Sequence, residues 1–503
     1  MIFENVTYLS NKEEFVEKIL VYTRLVEVIA EREGIDITMH SLPTKEGIRE
    51  LQDMGVIVEE DDLSVLKKTL STTYTRFISA LSFYLSHKNL YGNHLDKLNN
   101  KKRHELQRKE AKAKKPIMVD FFAGAGGLSC GFTQAGYRVC FANDFEDVCV
   151  RTYQYNHPEL PAKNVLREDI RKIVNNIEDY VKEDVDIVVG GPPCQSFSSA
   201  NQRRIIDDPR NELYKFYIEA IKKLCPKFVV MENVRGMLSV AGQVVEDYKS
   251  IKIEKDGNEY TYDVSYRLLN AMNFGVAQSR ERLIYLAIRN DIALSKHITP
   301  ELLFLKLEIA CGKNPHYNLQ SALEFIKPLD APRVKGQTEV DDEKTGMKIG
   351  INTYDSCGNP YLKSINSGRE LPYVFNHKAR YCSDVNYEIF KRLEQGEDAT
   401  NPKIADIMPY ARRNDIFKDK YYKLIADRPC RTITAHLKMD CLSHIHPFQI
   451  RSITPREAAR IQSFPDDYLF LGAYLKTYMQ IGNAVPVLMA KQIANEIKKY
   501  IDL

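Results

Sequence analysis

The feature that most constrains this fold is the alternation of short apolar runs and amphipathic stretches between residues 116 and 288. The runs IMVDFF, YRVCFAND, VDIVVGG and KFVVMENV have the length and aliphatic content of buried strands, and LIYLAI adds another at 283–288. Between two of them, NELYKFYIEAIKKLC carries apolar residues at helical spacing. Strands that alternate with helices predict βαβ units, and therefore an α/β fold with a mainly parallel sheet.

The regions on either side of this alternating pattern differ from it in apolar spacing and in charge. Residues 1–96 show helical apolar spacing, as in EEFVEKILVYTRLVEVIAERE, and predict a helical N-terminal extension. Residues 97–116 are strongly basic; we interpret them as a linker or a solvated helix, with a phosphate-binding arm as the alternative. Residues 117–300, completed by 476–503, form the predicted sheet domain. The irregular stretch 301–475 forms a second, smaller domain.

Composition is that of a folded protein with more than one domain. The chain has 503 residues, of which 44% are hydrophobic and 28% charged. No apolar run approaches the roughly 20 residues of a membrane span, and the start MIFENVTYLSNKEEF predicts no secretory signal. The formal net charge is only +3, so contact with nucleic acid would require local basic patches.

Ten cysteines are scattered along the chain, and no two are three residues apart. This spacing excludes CxxC metal or redox pairs, and we predict no metal site. Isolated cysteines in a large chain also favour a reducing cytoplasm and mostly inert, buried thiols. Cys194 differs from the others because Pro192 and Pro193 fix the backbone immediately before it.

Polar residues follow several of the predicted strands, at the edge of a parallel sheet where ligands bind. The first strand ends in the glycine-rich turn DFFAGAGG, and the second ends at Asp144, twenty residues after Gly124. That spacing is typical of an acid that binds ribose hydroxyls. Ser129 replaces the third glycine of GxGxxG, which favours a nucleoside ligand without a pyrophosphate over a dinucleotide. Asp169 is either a third ligand-binding acid or a helix N-cap.

Two further strand ends carry reactive groups. One ends at Pro192-Pro193-Cys194 and the next at Glu232. A thiol and a carboxylate on neighbouring strand ends suit nucleophilic catalysis with a proton donor. Arg280 and Arg282 precede the last strand, where they either serve the site or form a surface ion-pair cluster.

Taken in order, these segments resemble the bacterial-type DNA (cytosine-5) methyltransferases. The matching motifs are DFFAGAGGLSCGF, ANDFED, EDI, GGPPCQSFS, MENVRGM, QSRERLIYLAI, RPCRTITA, ITPREAARIQSFPDDY and QIGNAVP. The resemblance covers roughly 116–295 and 428–503. One departure is that Asp144 and Phe145 stand where the family often has Glu and Trp; the chain has no tryptophan.

The resemblance implies a Rossmann-like sheet that binds S-adenosylmethionine (AdoMet), with 301–475 as a target-recognition domain. Asp144 would hold the ribose, Asp169 the adenine amine, and Asn483 would close the pocket. The implied cofactor-binding residues are Phe122, Ala123, Gly124, Gly126, Gly127, Asp144, Phe145, Asp169, Ile170, Pro193, Asn483 and Val485.

The resemblance also implies a mechanism. Cys194 would attack cytosine C6, Glu232 would protonate or share a proton with N3, and Arg280 and Arg282 would orient the base and Glu232. Because this chemistry cannot occur inside a stacked duplex, the base must be flipped into the site.

The implied partner is double-stranded DNA. The enzyme would be either the modification half of a restriction system, with a cognate restriction endonuclease that acts separately, or a solitary methyltransferase. We expect a monomer in the bacterial cytosol or nucleoid. The segments SSANQRR and YARRNDIFKDKYYK suggest DNA contacts, and FNHKAR at 375–380 is a weaker candidate. The residues selected are Ser198, Arg203, Arg204, Arg412 and Arg413.

Other functions remain open from sequence. A branch of the same family methylates transfer RNA, and an inactive homologue could bind nucleic acid for regulation. The presence of Cys194, Glu232, Arg280, Arg282 and Asn483 argues against the inactive reading. A dehydrogenase is the weakest alternative, because the third glycine is absent.

Overall fold

The computed structural model describes residues 12–193, 212–352, 358–409 and 420–502. Its centre is a seven-stranded sheet in the order β3-β2-β1-β4-β5-β9-β8. Neighbours from β3 to β5 are parallel, whereas β9 and β8 are antiparallel additions. The strands are β1 (Ile117–Phe121), β2 (Arg138–Asp144), β3 (Val165–Arg167), β4 (Ile187–Gly190), β5 (Phe228–Val234), β6 (Ile253–Lys255), β7 (Asn258–Tyr260), β8 (Tyr262–Asn270), β9 (Glu281–Arg289), β10 (Gly346–Ile351) and β11 (Tyr373–Lys378). The predicted α/β class with a mainly parallel sheet is confirmed.

Helices surround the sheet and form the N-terminal region. They are α1 (Lys12–Arg32), α2 (Lys45–Met54), α3 (Asp62–Leu70), α4 (Tyr74–Ser86), α5 (Lys88–Tyr91), α6 (Asn100–Ala111), α7 (Gly127–Gln134), α8 (Asp147–Asn156), α9 (Ile170–Ile173), α10 (Ile177–Tyr180), α11 (Glu212–Leu224), α12 (Ala241–Lys249), α13 (Asn290–Lys296), α14 (Pro300–Cys311), α15 (Leu319–Leu323), α16 (Pro360–Ile365), α17 (Asp384–Arg392), α18 (Pro455–Ile461), α19 (Tyr474–Asn483) and α20 (Val487–Lys498).

Both faces of the sheet are buried, which explains the continuous apolar runs. Within β1, Met118 belongs to the core on one face, while Val119 and Phe121 belong to the core on the other. The C-terminal helix α20 closes the first face by packing on α7. Gly131 permits this contact, because a Cβ there would lie 2.5 Å from the Cβ of Ala490.

The N-terminal extension is helical, as predicted, and it shares a hydrophobic core with later parts of the chain. Its apolar residues cluster with Tyr155 of α8, Phe375 of β11, and Leu469 and Leu471 near the C-terminus. The basic segment 97–116 contains α6, which begins where the Asn99 side chain accepts a hydrogen bond from the Lys102 amide at 3.1 Å. A phosphate-binding role for α6 stays a prediction.

The region predicted as a smaller domain, 301–475, begins with a helix that packs on the preceding sheet. Leu303, Phe304 and Leu307 of α14 lie in the core formed by β9 and α20. Beyond α14 the elements are short, and β10 and β11 form a separate two-stranded antiparallel sheet. In the ranges given above, no helix combines the length and apolarity needed to cross a membrane.

The predicted contact segment FNHKAR is mostly buried, because 375–378 form the end of β11. Asn376 uses its side chain internally: its Nδ2 donates to the Phe470 carbonyl at 2.9 Å, and its Oδ1 accepts from the Phe470 amide at 3.0 Å. His377 lies between the Lys327 carbonyl and the Thr454 hydroxyl. The interpretation of this stretch as a nucleic-acid contact is therefore wrong.

A carboxyl group is buried in the middle of β1. Asp120 is fully buried, and its Oδ2 accepts a hydrogen bond of 2.6 Å from the Ser129 hydroxyl. Its Oδ1 has no partner among the described residues. Burial raises the pKa of Asp120 to about 7, because the charged carboxylate is poorly solvated there.

Replacing Asp120 with asparagine is expected to flatten the pH dependence of stability. The folded protein retains the Asp120 proton up to about pH 7, whereas the unfolded chain loses it near its ordinary pKa of 3.8. The stability contribution of this group therefore falls as pH rises from about 4 to 7. Urea unfolding at pH 5 and pH 8 should show that wild type loses on the order of 2–3 kcal/mol more than Asp120→Asn. Equal losses would contradict the buried proton.

Candidate active site

A cavity of about 640 Å³ opens at the carboxyl ends of β1, β2, β4 and β5. It brings together most of the site residues predicted from sequence. Those on its lining are Phe122, Ala123, Gly124, Gly127, Asp144, Phe145, Asp169, Ile170, Pro193, Glu232, Arg280, Arg282, Asn483 and Val485.

The glycine-rich turn after β1 forms one wall of the cavity. Phe122 has a φ of +56°, uncommon for a bulky residue, and Gly124 has a φ of +55°. At Gly127 the turn meets the C-terminal segment, since a Cβ there would lie 2.5 Å from the Val485 carbonyl oxygen. The missing side chain therefore lets the first and last motifs of the sheet domain line one cavity.

Gly126 belongs to the same turn but is not on the cavity lining. Its φ is +88°, and a Cβ there would lie 2.6 Å from the Tyr468 hydroxyl oxygen and 3.0 Å from Nε2 of His157. The structure gives this predicted cofactor residue a different local role. Gly126 allows the turn to pack on buried aromatic side chains beneath it.

Asp144 and Phe145 form the wall at the end of β2. The Asp144 carboxylate accepts backbone hydrogen bonds of 2.8 Å from both Gly124 and Glu146, so it joins the glycine turn to the start of α8. Burial raises its pKa, and these hydrogen bonds oppose that shift. Phe145 is 67% exposed although it is a large aromatic residue. An exposed ring beside a half-buried carboxylate suits a nucleoside ligand.

Asp169 is a helix N-cap, and its role as a ligand-binding acid stays a prediction. It caps α9 by accepting a 2.9 Å hydrogen bond from the Arg171 amide, and it also lies on the cavity lining. The Arg171 side chain reaches its Oδ2 at 2.6 Å and lowers its pKa. The carboxylate is therefore held ionised and oriented at the cavity edge.

At the other end of the cavity, Glu232 and Arg282 form an ion pair. The Arg282 Nε lies 2.8 Å from Glu232 Oε1, and the two side chains are only 14% and 12% exposed. Glu232 Oε2 faces Gly191, where a Cβ would lie 3.1 Å away. The arginine thus holds one carboxylate oxygen while the other faces a position without a side chain.

Asn233 fixes the backbone that leads to Cys194. Its Nδ2 donates a 3.0 Å hydrogen bond to the Pro192 carbonyl, and both residues are buried. Sequence reasoning did not select Asn233 as a site residue. Its sequence position could have indicated this role, because Asn233 directly follows Glu232 at a strand end that lies next to Pro192 and Pro193.

The side-chain hydrogen bonds of Arg280 among the described residues go to backbone carbonyls, whereas Arg282 is ion-paired with Glu232. One of the Arg280 Nη atoms donates to the Ile433 carbonyl at 2.5 Å, and the other donates to Gly482 and Ala484 at 2.9 and 3.1 Å. Burial lowers the pKa of Arg280. The side chain therefore acts as a cross-link between β9, the 433 segment and the C-terminal turn.

The conservative change Arg280→Lys is expected to destabilise the fold by about 2–3 kcal/mol. The single ammonium group of lysine cannot replace a planar guanidinium group that donates to three backbone carbonyls. Buried carbonyl oxygens would therefore lose their hydrogen-bond donors. Urea unfolding at pH 7 measures the loss, and Arg108→Lys on the exposed surface of α6 is the control. A cost no greater than that of the control would contradict this role.

Gln480 is a cavity residue that sequence reasoning missed. It is buried, its Nε2 donates to the Leu471 carbonyl at 3.0 Å, and its Oε1 has no partner among the described residues. It precedes Asn483 by three residues on α19, so the two share a helix face. That spacing within QIGNAVP was the signal.

The remaining predicted residues lie outside the described ranges. They are Cys194, Ser198, Arg203, Arg204, Arg412 and Arg413. Among the residues that are described, no group of three or more His, Cys, Asp or Glu side chains is arranged to hold a metal ion.

Comparison with known proteins agrees with this geometry. Residues 117–499 match the family model of C-5 cytosine-specific DNA methylases. The type II methyltransferase M.DdeI of Desulfomicrobium norvegicum is 31% identical over 76% of this chain and 89% of its own. M.AgeI of Thalassovita gelatinovora is 30% identical over 76% of this chain and 98% of its own.

One solved structure shares the fold. It is described as a DNA modification methyltransferase encoded within a prophage of E. coli, and it has a TM-score of 0.57. It is 22% identical, covering 76% of this chain and 99% of its own. The chain therefore belongs to the C-5 cytosine-specific DNA methylase family, and the enzyme is a DNA cytosine methyltransferase.

Proposed function

We propose that the enzyme transfers a methyl group from AdoMet to C5 of a cytosine flipped out of duplex DNA, through a covalent bond between Cys194 and C6. The observation that carries the proposal is the single cavity of about 640 Å³. One end has the glycine turn, Asp144 and Phe145, and the other has Glu232 and Arg282. Such a cavity accommodates a cofactor and a base side by side.

The residues that line this end of the cavity have the chemistry needed to bind AdoMet. Gly124 leaves open space at the glycine turn, since no heavy atom lies within 4 Å of a Cβ built there. Asp144 offers acceptor oxygens for ribose hydroxyls, and Phe145 offers an exposed ring for adenine. When bound, AdoMet would supply the electrophilic methyl group that an activated C5 takes.

The residues of the chain would activate the base. The Cys194 thiolate adds to C6, and electrons from the C5–C6 double bond move into the ring. Glu232 gives or shares a proton at N3, which limits the negative charge, while Arg282 holds the carboxyl group in place. After methylation a base removes the C5 proton, and its bonding electrons re-form the C5–C6 double bond as the Cys194 sulfur leaves as a thiolate. The N3 proton returns to Glu232.

Access to the base requires flipping, because C5 and C6 are stacked inside a duplex. We propose that Ser198, Arg203 and Arg204 contact DNA near the cavity, and that Arg412 and Arg413 contact it from the recognition region. The type II names of the relatives support a role beside a separate restriction endonuclease. We propose a monomer that acts in the cytosol.

The test is methyl transfer from tritiated AdoMet to unmethylated duplex DNA, compared with transfer to transfer RNA as the alternative substrate. We expect label in DNA as 5-methylcytosine, identified by mass spectrometry of digested nucleosides. Bisulfite sequencing of DNA from expressing cells then gives the target sequence. Label in transfer RNA alone would overturn the DNA substrate, and absence of AdoMet binding would overturn the cofactor.

Phe145→Ala is expected to weaken AdoMet binding about tenfold, because stacking of a base on an aromatic ring contributes roughly 1–3 kcal/mol. Calorimetric titration with AdoMet measures the change. Phe448→Ala is the control, since Phe448 is 59% exposed and lies apart from the cavity lining. Unchanged affinity in Phe145→Ala would remove the ring from the adenine site.

A further inference from the structure

Tyr468 lies outside the predicted site, yet its side chain contacts the glycine-rich turn. It is buried in the segment between α18 and α19, and its hydroxyl donates a hydrogen bond to the Ala125 carbonyl. Ala125 is the central residue between Gly124 and Gly126. One hydroxyl group therefore holds the middle of the turn that forms the cavity wall.

The same hydroxyl occupies the space that a side chain at Gly126 would need. The distance from its oxygen to an ideal Cβ at Gly126 is 2.6 Å, and the Tyr153 ring and His157 stand at 3.0 Å. His157 Nε2 also lies 3.4 Å from the Tyr468 hydroxyl. Gly126 and Tyr468 thus fit each other, and a change on either side moves the turn.

The segment around Tyr468 is itself held firmly. Arg456 donates to the Tyr468 carbonyl at 2.5 Å. The Asn156 side chain bonds both the amide and the carbonyl of Leu469, at 3.0 and 2.8 Å. Asn376 bonds both groups of Phe470 in the same way. The position of the hydroxyl is therefore set by groups from α8, β11 and α18 rather than by the turn it holds.

We infer that Tyr468 is a positioning residue for the methyl donor: its hydroxyl fixes the Ala125–Gly126 peptide, and so keeps Gly124 and Gly127 in the shape that the donor requires. The inference rests on the proposed use of AdoMet. Tyr468 acts through the backbone of the turn and has no part in the chemistry at cytosine. Its loss should alter donor binding without altering the rate once the donor is saturating.

The variant Tyr468→Phe removes only the hydroxyl. We expect the Kd and KM for AdoMet to rise about fivefold, the size of one lost hydrogen bond, with kcat at saturating AdoMet and KM for DNA unchanged. The matched control is Tyr137→Phe, which removes a buried hydroxyl that donates to the Ala494 carbonyl at 3.0 Å, away from the cavity. Thermal unfolding of both variants establishes the stability cost of a lost buried hydroxyl.

Equal AdoMet affinity in Tyr468→Phe and wild type overturns the inference and leaves the proposed cofactor intact. An equal rise in Kd in Tyr137→Phe overturns it too, because the effect would then be one of general stability. If wild type binds no AdoMet, the proposed function fails, and the inference fails with it.

A second variant tests the same contact by changing the glycine-rich turn instead of Tyr468. Gly126→Ala is expected to raise the Kd for AdoMet at least as much, because its Cβ would collide with the Tyr468 oxygen. Gly336→Ala is the control for backbone strain, since Gly336 has a similar φ of +92° with nothing within 4 Å of a Cβ. Unchanged AdoMet affinity in Gly126→Ala overturns the inference even if Tyr468→Phe fails to fold.

Discussion

Replacement of Cys194 by serine is expected to reduce methyl transfer by at least about a thousandfold, with AdoMet affinity within twofold of wild type. A serine hydroxyl remains protonated at neutral pH and adds poorly to C6, whereas a thiol readily supplies a thiolate. The preceding backbone supports this role: Asn233 holds the Pro192 carbonyl, and Pro193 lines the cavity beside Glu232. Tritium transfer to duplex DNA and calorimetric titration with AdoMet measure the two quantities.

The control for this change is Cys382→Ser. Cys382 is buried in the 331–445 cluster, and burial raises its pKa to about 12, so its thiol is unreactive. Near-normal activity is expected in this variant. Full activity in Cys194→Ser would rule out the covalent mechanism.

The second large effect is expected in Glu232→Gln, which should lower kcat by about a hundred- to ten-thousandfold. The amide keeps the shape of the side chain and can still accept a hydrogen bond from Arg282, but it has no acidic proton to give N3. Single-turnover methylation of duplex DNA measures the rate. AdoMet affinity should stay close to that of wild type, because Glu232 lies at the end of the cavity away from Asp144 and Phe145.

Glu281→Gln is the matched control for Glu232→Gln. Glu281 is also a glutamate paired with an arginine, Arg235 at 2.6 Å, but it lies on the surface at the start of β9. Its replacement should leave the rate unchanged. A parallel fall in AdoMet affinity for Glu232→Gln would assign that residue to the cofactor instead of the base.

The sheet and its strand ends could be predicted from the sequence because both depend on local patterns. Apolar runs specify strands buried on both faces, and a parallel sheet brings the residues after each strand to one edge. For this reason the sequence alone predicts that Asp144 and Glu232 lie at the same edge of the sheet. Their surroundings, such as the Arg282 contact to Glu232, also follow from neighbouring strands.

The contacts that escaped prediction join residues far apart in sequence. Arg280 bonds carbonyls that are 153 to 204 residues away, and Tyr468 reaches across 343 residues to Ala125. The spacing of apolar residues within one segment carries no information about contacts between such distant residues. FNHKAR was misread for the same reason, since its basic and aromatic composition is typical of an exposed contact while tertiary packing buries most of it.

The N-terminal helices share a hydrophobic core with later parts of the chain, and this core determines which residues fold as one cooperative unit. The family match begins at residue 117, yet Leu469 and Leu471, which alternate with Tyr468 and Phe470 along the chain, are buried among residues that precede it. Removing the N-terminal region would expose these leucines and loosen the segment that supports the glycine turn. The boundary of the family in sequence is therefore not a boundary of folding, and residues 12–111 are to be treated as part of the catalytic body rather than as a detachable accessory.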